Sequence, residues 1–154
     1  MIAVRDSILK GVNTVPKCGY PGSLITFDHN ATPILTGDNE NSVIFAAANY
    51  GKGRIFVTSH ESYIYHFING SKDFVQLWRN IKNWLMNSTN LKEQYWDKNI
   101  PDIENYELVS DIPEDVELLK WIGTQNKTDI FINQLLKKYV MEGGSVICGI
   151  CPWG

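Results

Sequence analysis

No stretch of this chain approaches the roughly 18 to 20 consecutive apolar residues that a bilayer-spanning helix requires, so no such helix is expected. The N-terminal segment, Met1 to Asp6, also lacks the long apolar run of a secretory signal. Cysteine is scarce, with only Cys18, Cys148 and Cys151. Three thiols cannot close into a complete disulfide set, which suits a reducing compartment, and a cytoplasmic location is expected. Clustered cations are missing as well. The chain has 14 Lys plus Arg against 17 Asp plus Glu and no basic run. It therefore lacks the charge array that displaces counterions from phosphates, and nucleic acid is not an expected partner. Dinucleotide and phosphate-loop signatures are absent too. His60-Glu61 opens a helical zinc-protease motif, but the residue four places on is Ile64, and His66 lies six away. Cys148 and Cys151 form a Cys-x-x-Cys pair without two further ligands at usable spacing. Neither a metal nor a cofactor is expected.

What the chain does have is core material. Apolar types make up 44% of the 154 residues and charged types 20%, a balance that places it with globular domains rather than disordered segments. Leu24 to Phe27 and Pro33 to Thr36 read as short strands between turns. Val43 to Ala48 and Arg54 to Ser59, separated by Asn49-Tyr50-Gly51-Lys52-Gly53, read as a hairpin. From Ser71 to Met86 the apolar residues Phe74, Leu77, Trp78, Ile81 and Leu85 paint one face of a helix. The polar segment 88–104 is expected to link two halves of a single domain, 1–87 and 105–154. In the second half, Tyr106 to Val109 reads as a strand, and Pro113-Glu114-Asp115 opens a helix carrying Val116, Leu118, Leu119 and Trp121. Asp129 to Ile132 reads as a strand, Gln134 to Met141 as a helix stopped by Gly143-Gly144, and Ser145 to Ile150 as a final strand. That last trio is a βαβ unit with parallel strands, so the class is α/β.

In such sheets ligands bind beyond the C-terminal strand ends, where loops converge and helix N-termini point. The expected crevice is therefore lined by Ser59, His60 and Glu61 after one strand and by Asp28 and His29 after another. Cys151, after Gly149-Ile150 at the end of the last strand, has the setting of a nucleophile, with His60 as its candidate base and Glu61 as a further catalytic candidate. The elbow is incomplete, because Pro152 and Trp153 stand where a small residue should follow. Each of these positions also has a plain structural reading: Cys151 as a small buried residue, Ser59 and Glu61 as caps, and Asp28 as an Asx turn.

The run Gly51-Lys52-Gly53-Arg54-Ile55-Phe56-Val57-Thr58-Ser59-His60-Glu61-Ser62-Tyr63, the helix ending Ile81-Lys82-Asn83-Trp84-Leu85, and Gly143 to Gly149 together resemble the N-terminal region of the TRP-channel-associated factor family. The resemblance implies a three-layer, flavodoxin-like or class I glutamine-amidotransferase-like sheet with flanking helices, truncated here at the C-terminus and belonging to a longer parent chain. It implies a non-catalytic regulatory or scaffold module. The partner would be a protein, a TRP-type channel whose trafficking or gating it influences, and it would bring the module to the plasma membrane peripherally. The stretch Gly149 to Trp153 departs from the family pattern, with a cysteine where the family carries glutamine. Two other readings of the same residues are a thiol-dependent hydrolase or amidotransferase remnant using Cys151, and a small-ligand binding module at the strand-end crevice.

Overall fold

A computed structural model describes residues 2–27, 29–38, 42–87, 100, 112, 116–124 and 130–151. In chain order the elements are α1 (Ile2–Leu9), β1 (Ala31–Thr36), β2 (Val43–Tyr50), β3 (Gly53–Thr58), α2 (Ser62–Asn69), α3 (Lys72–Leu85), β4 (Leu118–Thr124), α4 (Ile130–Glu142) and β5 (Ser145–Cys151). The five strands form one open sheet in the order β1-β2-β3-β5-β4. β1, β2 and β3 make an antiparallel meander, whereas β5 runs parallel to both β3 and β4. The sheet is mixed, and the parallel arrangement expected throughout a flavodoxin-like domain occupies only its β3-β5-β4 half.

The β2–β3 hairpin forms as the sequence predicts. Tyr50 pairs with Gly53, leaving Gly51 and Lys52 as a two-residue loop. Gly51 sits at φ +60°, the left-handed value that the first position of a type II′ turn requires. Helix α3 also forms as expected, burying Phe74, Leu77, Trp78, Ile81 and Leu85 along one face.

Two cores lie on opposite sides of the sheet. On one side α1, α2 and α3 bury Ile8, Phe67, Leu77 and Ile81 against Ile34, Phe45, Phe56 and Ile147. Aromatic edges organise this side. The Phe45 ring meets Tyr63 edge-on at 4.8 Å between centroids, and Phe67 stacks on Trp78 at 5.7 Å. On the other side α4 supplies Leu135, Leu136, Tyr139 and Val140 against Leu119 and Val146. Helices on both faces make three layers.

The second half corrects the sequence reading in two places. Residues expected to continue a helix from Pro113 form strand β4 instead. Leu118 packs in the α1–α3 core while Leu119 and Trp121 pack in the α4 core, so the strand is covered on both faces. A strand buried on both sides reads as a continuous apolar run, and periodicity alone does not separate that from a helix. The strand expected at 129–132 is instead the opening of α4, which absorbs the predicted helix 134–141. The βαβ unit is real, but it is β4-α4-β5. The strand expected at 24–27 reduces to one bridge, Leu24 with Val43, leaving Ile25 and Phe27 exposed. Helices α1 and α2 were not expected. The linker 88–104, apart from Ile100, and the strand at 106–109 lie outside the described residues.

Candidate functional site

The sequence blocks singled out above converge on the two ends of β3 and β5. At the end where these strands begin, glycine allows backbones to meet. A Cβ on Gly53 would fall inside the van der Waals envelopes of the Gly144 and Val140 carbonyl oxygens, so β3 enters the sheet pressed against the α4–β5 turn. The hairpin loop is tied to the same place by Lys52 N–H, which donates to the Met141 carbonyl at 3.2 Å. Next along β3, the Arg54 guanidinium donates to the Trp84 carbonyl and, at 3.1 Å, to Asn87 Oδ1, and it lies 5.4 Å from the centre of the Trp84 ring. Ser145 Oγ donates to the Leu85 carbonyl at 2.8 Å. Two side chains thus donate to carbonyls at the C-terminus of α3, where the Trp84 carbonyl also accepts the Asn87 N–H at 3.3 Å. A cleft of about 550 Å³ opens beside this clamp, lined by Arg54, Met86, Glu117, Tyr139 and Glu142 among others.

At the opposite end, β3 runs out into Thr58-Ser59-His60-Glu61 and turns into α2. Backbone N–H groups on both sides of His60 tie this corner to its neighbours. Ser59 N–H donates to the Ile44 carbonyl at 2.9 Å and Glu61 N–H to the Ile150 carbonyl at 3.0 Å, which joins the corner to β2 and β5. Tyr63 N–H donates to the His60 carbonyl and Ile64 N–H to the Glu61 carbonyl. Ser62 N–H, the first of α2, donates to the imidazole Nδ1 of His60 at 3.1 Å. Below, Thr58 Oγ1 donates to the His60 carbonyl at 2.9 Å. Gly149 makes the junction possible, since a Cβ there would lie 2.9 Å from Glu61 Cα and 2.9 Å from Ile64 Cδ1.

The imidazole of His60 is 5% exposed. The loop Cys18–Gly22 closes over it. Gly19, at φ +63°, presses its backbone on the ring so tightly that a Cβ would sit 2.6 Å from Nε2, and Gly22 N–H donates to the Ser59 carbonyl. Glu61 Oε2 lies 3.3 Å from His60 Nδ1, the spacing of an ion pair. Yet Nδ1 already accepts the Ser62 N–H, so its lone pair is used and it carries no proton to share. Accordingly Glu61 Oε2 and Ser59 Oγ are the buried side-chain oxygens without a hydrogen-bond partner among the described residues.

Ser59, His60 and Glu61 therefore come together as expected from their adjacency, but as a packed corner. A cleft of about 710 Å³ adjoins it, lined by Pro21, Gly22, Ile44 and Tyr63 among others, and neither this cleft nor the one at the clamp is lined by Ser59, His60 or Glu61. His29 does not join them. It precedes β1, whose first residue pairs with Ala48 and, through it, stands level with Ile55, whereas Thr58 stands level with Phe45. Antiparallel pairing thus sends His29 to the other end of the sheet. Asp28 and the side chain of Cys151 lie outside the described residues, though the Cys151 backbone ends β5 opposite Thr124. Arg54, Ser145, Gly19 and Gly149 were not singled out as functional; their neighbours come from segments far away in the chain, which local pattern cannot supply.

Both described thiols have their pKa raised by burial. Cys18 is buried, its Sγ donates to the Pro16 carbonyl, and burial raises its pKa. Desolvation beside the α4 core pushes the Cys148 thiol up to about 12. Alkylation of Cys148 at pH 8 is therefore expected to run on the order of 10³-fold slower than that of a free cysteine, because the thiolate is the nucleophile. Fragment-resolved peptide mass spectrometry after timed alkylation checks this, and a rate near that of a free thiol would contradict the burial.

Fold and site together define a mixed α/β domain whose recognisable sequence blocks serve as joints between strands and helices. The family model described as "TRPM8, N-terminal domain" (TCAF_N) matches residues 4–154, and the chain belongs to that family. Among curated proteins it is 34% identical to mouse TRPM8 channel-associated factor 3 over 85 residues, covering 54% of this chain and 9% of that protein. It is 35% identical to human TRPM8 channel-associated factor 2 over 66 residues, 42% of this chain and 7% of the relative. A Xenopus laevis homolog of the factors is 25% identical over 159 residues, 96% of this chain and 16% of that protein. The chain thus spans a small part of the length of the relatives it matches. No solved structure matches it.

Proposed function

We propose that this domain is a non-catalytic regulatory module that associates with a TRPM8-type channel and influences its trafficking or gating. The observation that carries the reading is the family match, which runs through nearly the whole chain from residue 4 to residue 154. The relatives are named for association with the TRPM8 channel. The use of the marked residues supports a scaffold. Gly53, Arg54 and Ser145 bind the sheet to α3 and α4, and Nδ1 of His60 is occupied by the Ser62 backbone N–H. The amidotransferase-like kinship belongs to the same reading and rests on the parallel β3-β5-β4 half with helices on both faces. The no-metal, no-cofactor expectation and a cytoplasmic setting at the plasma membrane go with it.

Immobilised chain titrated with purified TRPM8 in lipid nanodiscs tests this. Saturable binding at a Kd on the order of micromolar or tighter is the expected result. Binding no stronger than that of an unrelated α/β domain of similar net charge would sink the proposal. Glutaminase or thioester hydrolysis lost in Cys151→Ser would favour the enzymatic alternative.

A further inference from the structure

The corner at the start of α2 holds one nitrogen between two partners that require opposite things of it. His60 Nδ1 lies 3.1 Å from the Ser62 nitrogen, a donor, and 3.3 Å from Glu61 Oε2, an acceptor. With the imidazole neutral, Nδ1 accepts the Ser62 N–H, the mobile proton resides on Nε2, and Glu61 Oε2 is left without a donor. Protonation puts a hydrogen on Nδ1. The lone pair that received Ser62 N–H is gone, and the new N–H has an unpartnered carboxylate oxygen within reach. Glu61, the N-cap residue of α2, makes no side-chain cap hydrogen bond.

We propose that His60 is a proton-operated latch on the first turn of α2: the neutral ring holds the Ser62 N–H, and the protonated ring releases it and donates to Glu61 instead. The proton is taken up from solvent at Nδ1 and nothing else changes covalently. Because the Gly19 backbone rests directly on the ring, the Cys18–Gly22 loop shares in the movement. The titratable groups named next, on the loop, helix and strand that meet at this corner, do not compete for the proton. From the loop, Cys18 is raised by burial; from α2, Tyr63 is raised by burial; from β5, Cys148 is at about 12. All three are neutral from pH 5 to 8. Lys17 in the same loop stands over the Tyr20 ring, 5.4 Å from its centre. Among the described residues, Glu61 is the carboxylate placed against Nδ1. The sign follows: the latch is closed while the ring is neutral and opens when the ring is protonated.

Nuclear magnetic resonance of the intact chain between pH 5 and 8.5 tests this, and only three histidines have to be told apart. Above the transition, ring nitrogen shifts are expected to show the tautomer with Nδ1 bare. The Ser62 amide is expected to move with the same midpoint as the His60 ring and, after correction for intrinsic exchange, to lose roughly fivefold protection on protonation, the effect of a lost helix cap. In His60→Asn, whose side-chain oxygen also reaches the N–H two residues on, Ser62 is expected to stop responding to pH. In Glu61→Gln the midpoint is expected to fall. A His60 ring that titrates while Ser62 stays still, a proton found on Nδ1 at high pH, or no His60 titration in this range would each overturn the latch. These readings are made on the wild-type chain, so they stand even if a variant does not fold, and they do not depend on channel binding.

Discussion

Truncation of Phe45 to alanine is expected to cost about 3–5 kcal/mol, the range for removing a large aromatic side chain from a sealed core. Phe45 is fully buried in the middle of β2. Its ring meets three aromatics from two elements: Phe56 at 5.7 Å on the neighbouring strand, Tyr63 at 4.8 Å near the start of α2, and Phe67 at 6.0 Å one turn later in the same helix. No single neighbour can move in to fill the space without leaving its own partners, so most of the cavity would persist. A loss of that size takes up much of the 5–15 kcal/mol that separates a typical folded domain from its unfolded chain. Urea denaturation followed by tryptophan fluorescence would register it as a lower midpoint at nearly unchanged slope, because Trp78 stacks on Phe67 within the same core. Phe45→Leu, which keeps most of the volume, should cost clearly less. Equal losses for the two variants would show that the site collapses freely and that the aromatic edges do not organise it.

The second large effect is expected at a residue with no side chain. In Gly53→Ala the added methyl would meet two carbonyl oxygens, those of Gly144 and Val140, and both belong to backbone. A flexible side chain could swing aside, but here the α4–β5 turn would have to back away from β3. The first parallel pair, Arg54 with Ser145, stands immediately beside the clash. Overpacking costs of about 1–3 kcal/mol are usual, and the upper end of that range or beyond is expected where backbone must yield. Gly22→Ala provides the contrast, because its nearest neighbour would be the Ser59 carbonyl oxygen at 3.9 Å. That variant should stay within about 0.5 kcal/mol of wild type, as surface substitutions usually do. Thermal unfolding of both, with hydrogen exchange at Arg54 and Ser145, separates a local opening of the clamp from global loss. Unaltered stability in Gly53→Ala would refute the close approach.

How much of this was readable beforehand depends on where each signal comes from. The β2–β3 hairpin and α3 were legible because their information is local: Gly51 sets the turn, and the spacing from Phe74 to Leu85 sets the buried face. β4 was misread because both of its faces are buried, so Leu118, Leu119 and Trp121 carry no alternation. The start of α4 was misread because Ile130-Phe131-Ile132 is a short apolar run with strand-forming residues. α1 is bound by a partner outside its own sequence, the Arg5 Nε bond to the Ile34 carbonyl at 3.1 Å, and nothing in residues 2–9 announces that bond. At the site, the sequence marked Ser59, His60 and Glu61 by their position after a strand. It did not mark Gly19 or Gly149, whose role is to leave room for residues about 40 and 90 positions away. It placed His29 with them only by treating 24–27 as a paired strand. The likeness of the Gly51–Tyr63 block to a known family was legible in full, while the reason for the block, a set of joints, needed the spatial neighbours.

The position of β5 in the sheet bears on the order in which the molecule can assemble. β5 is the last of the described strands in sequence but stands between β3 and β4, which have no pairing with each other. During synthesis the β1-β2-β3 meander can form from near neighbours, whereas β3 must wait for a strand that begins 91 residues after Arg54, at Ser145. Until that strand arrives, β3 presents a bare edge, and bare edges recruit other chains. A ribosome-bound or prematurely terminated product that stops short of residue 145 would carry this edge, so the synthesis of Ser145–Cys151 decides whether the nascent sheet closes on itself or on a neighbour.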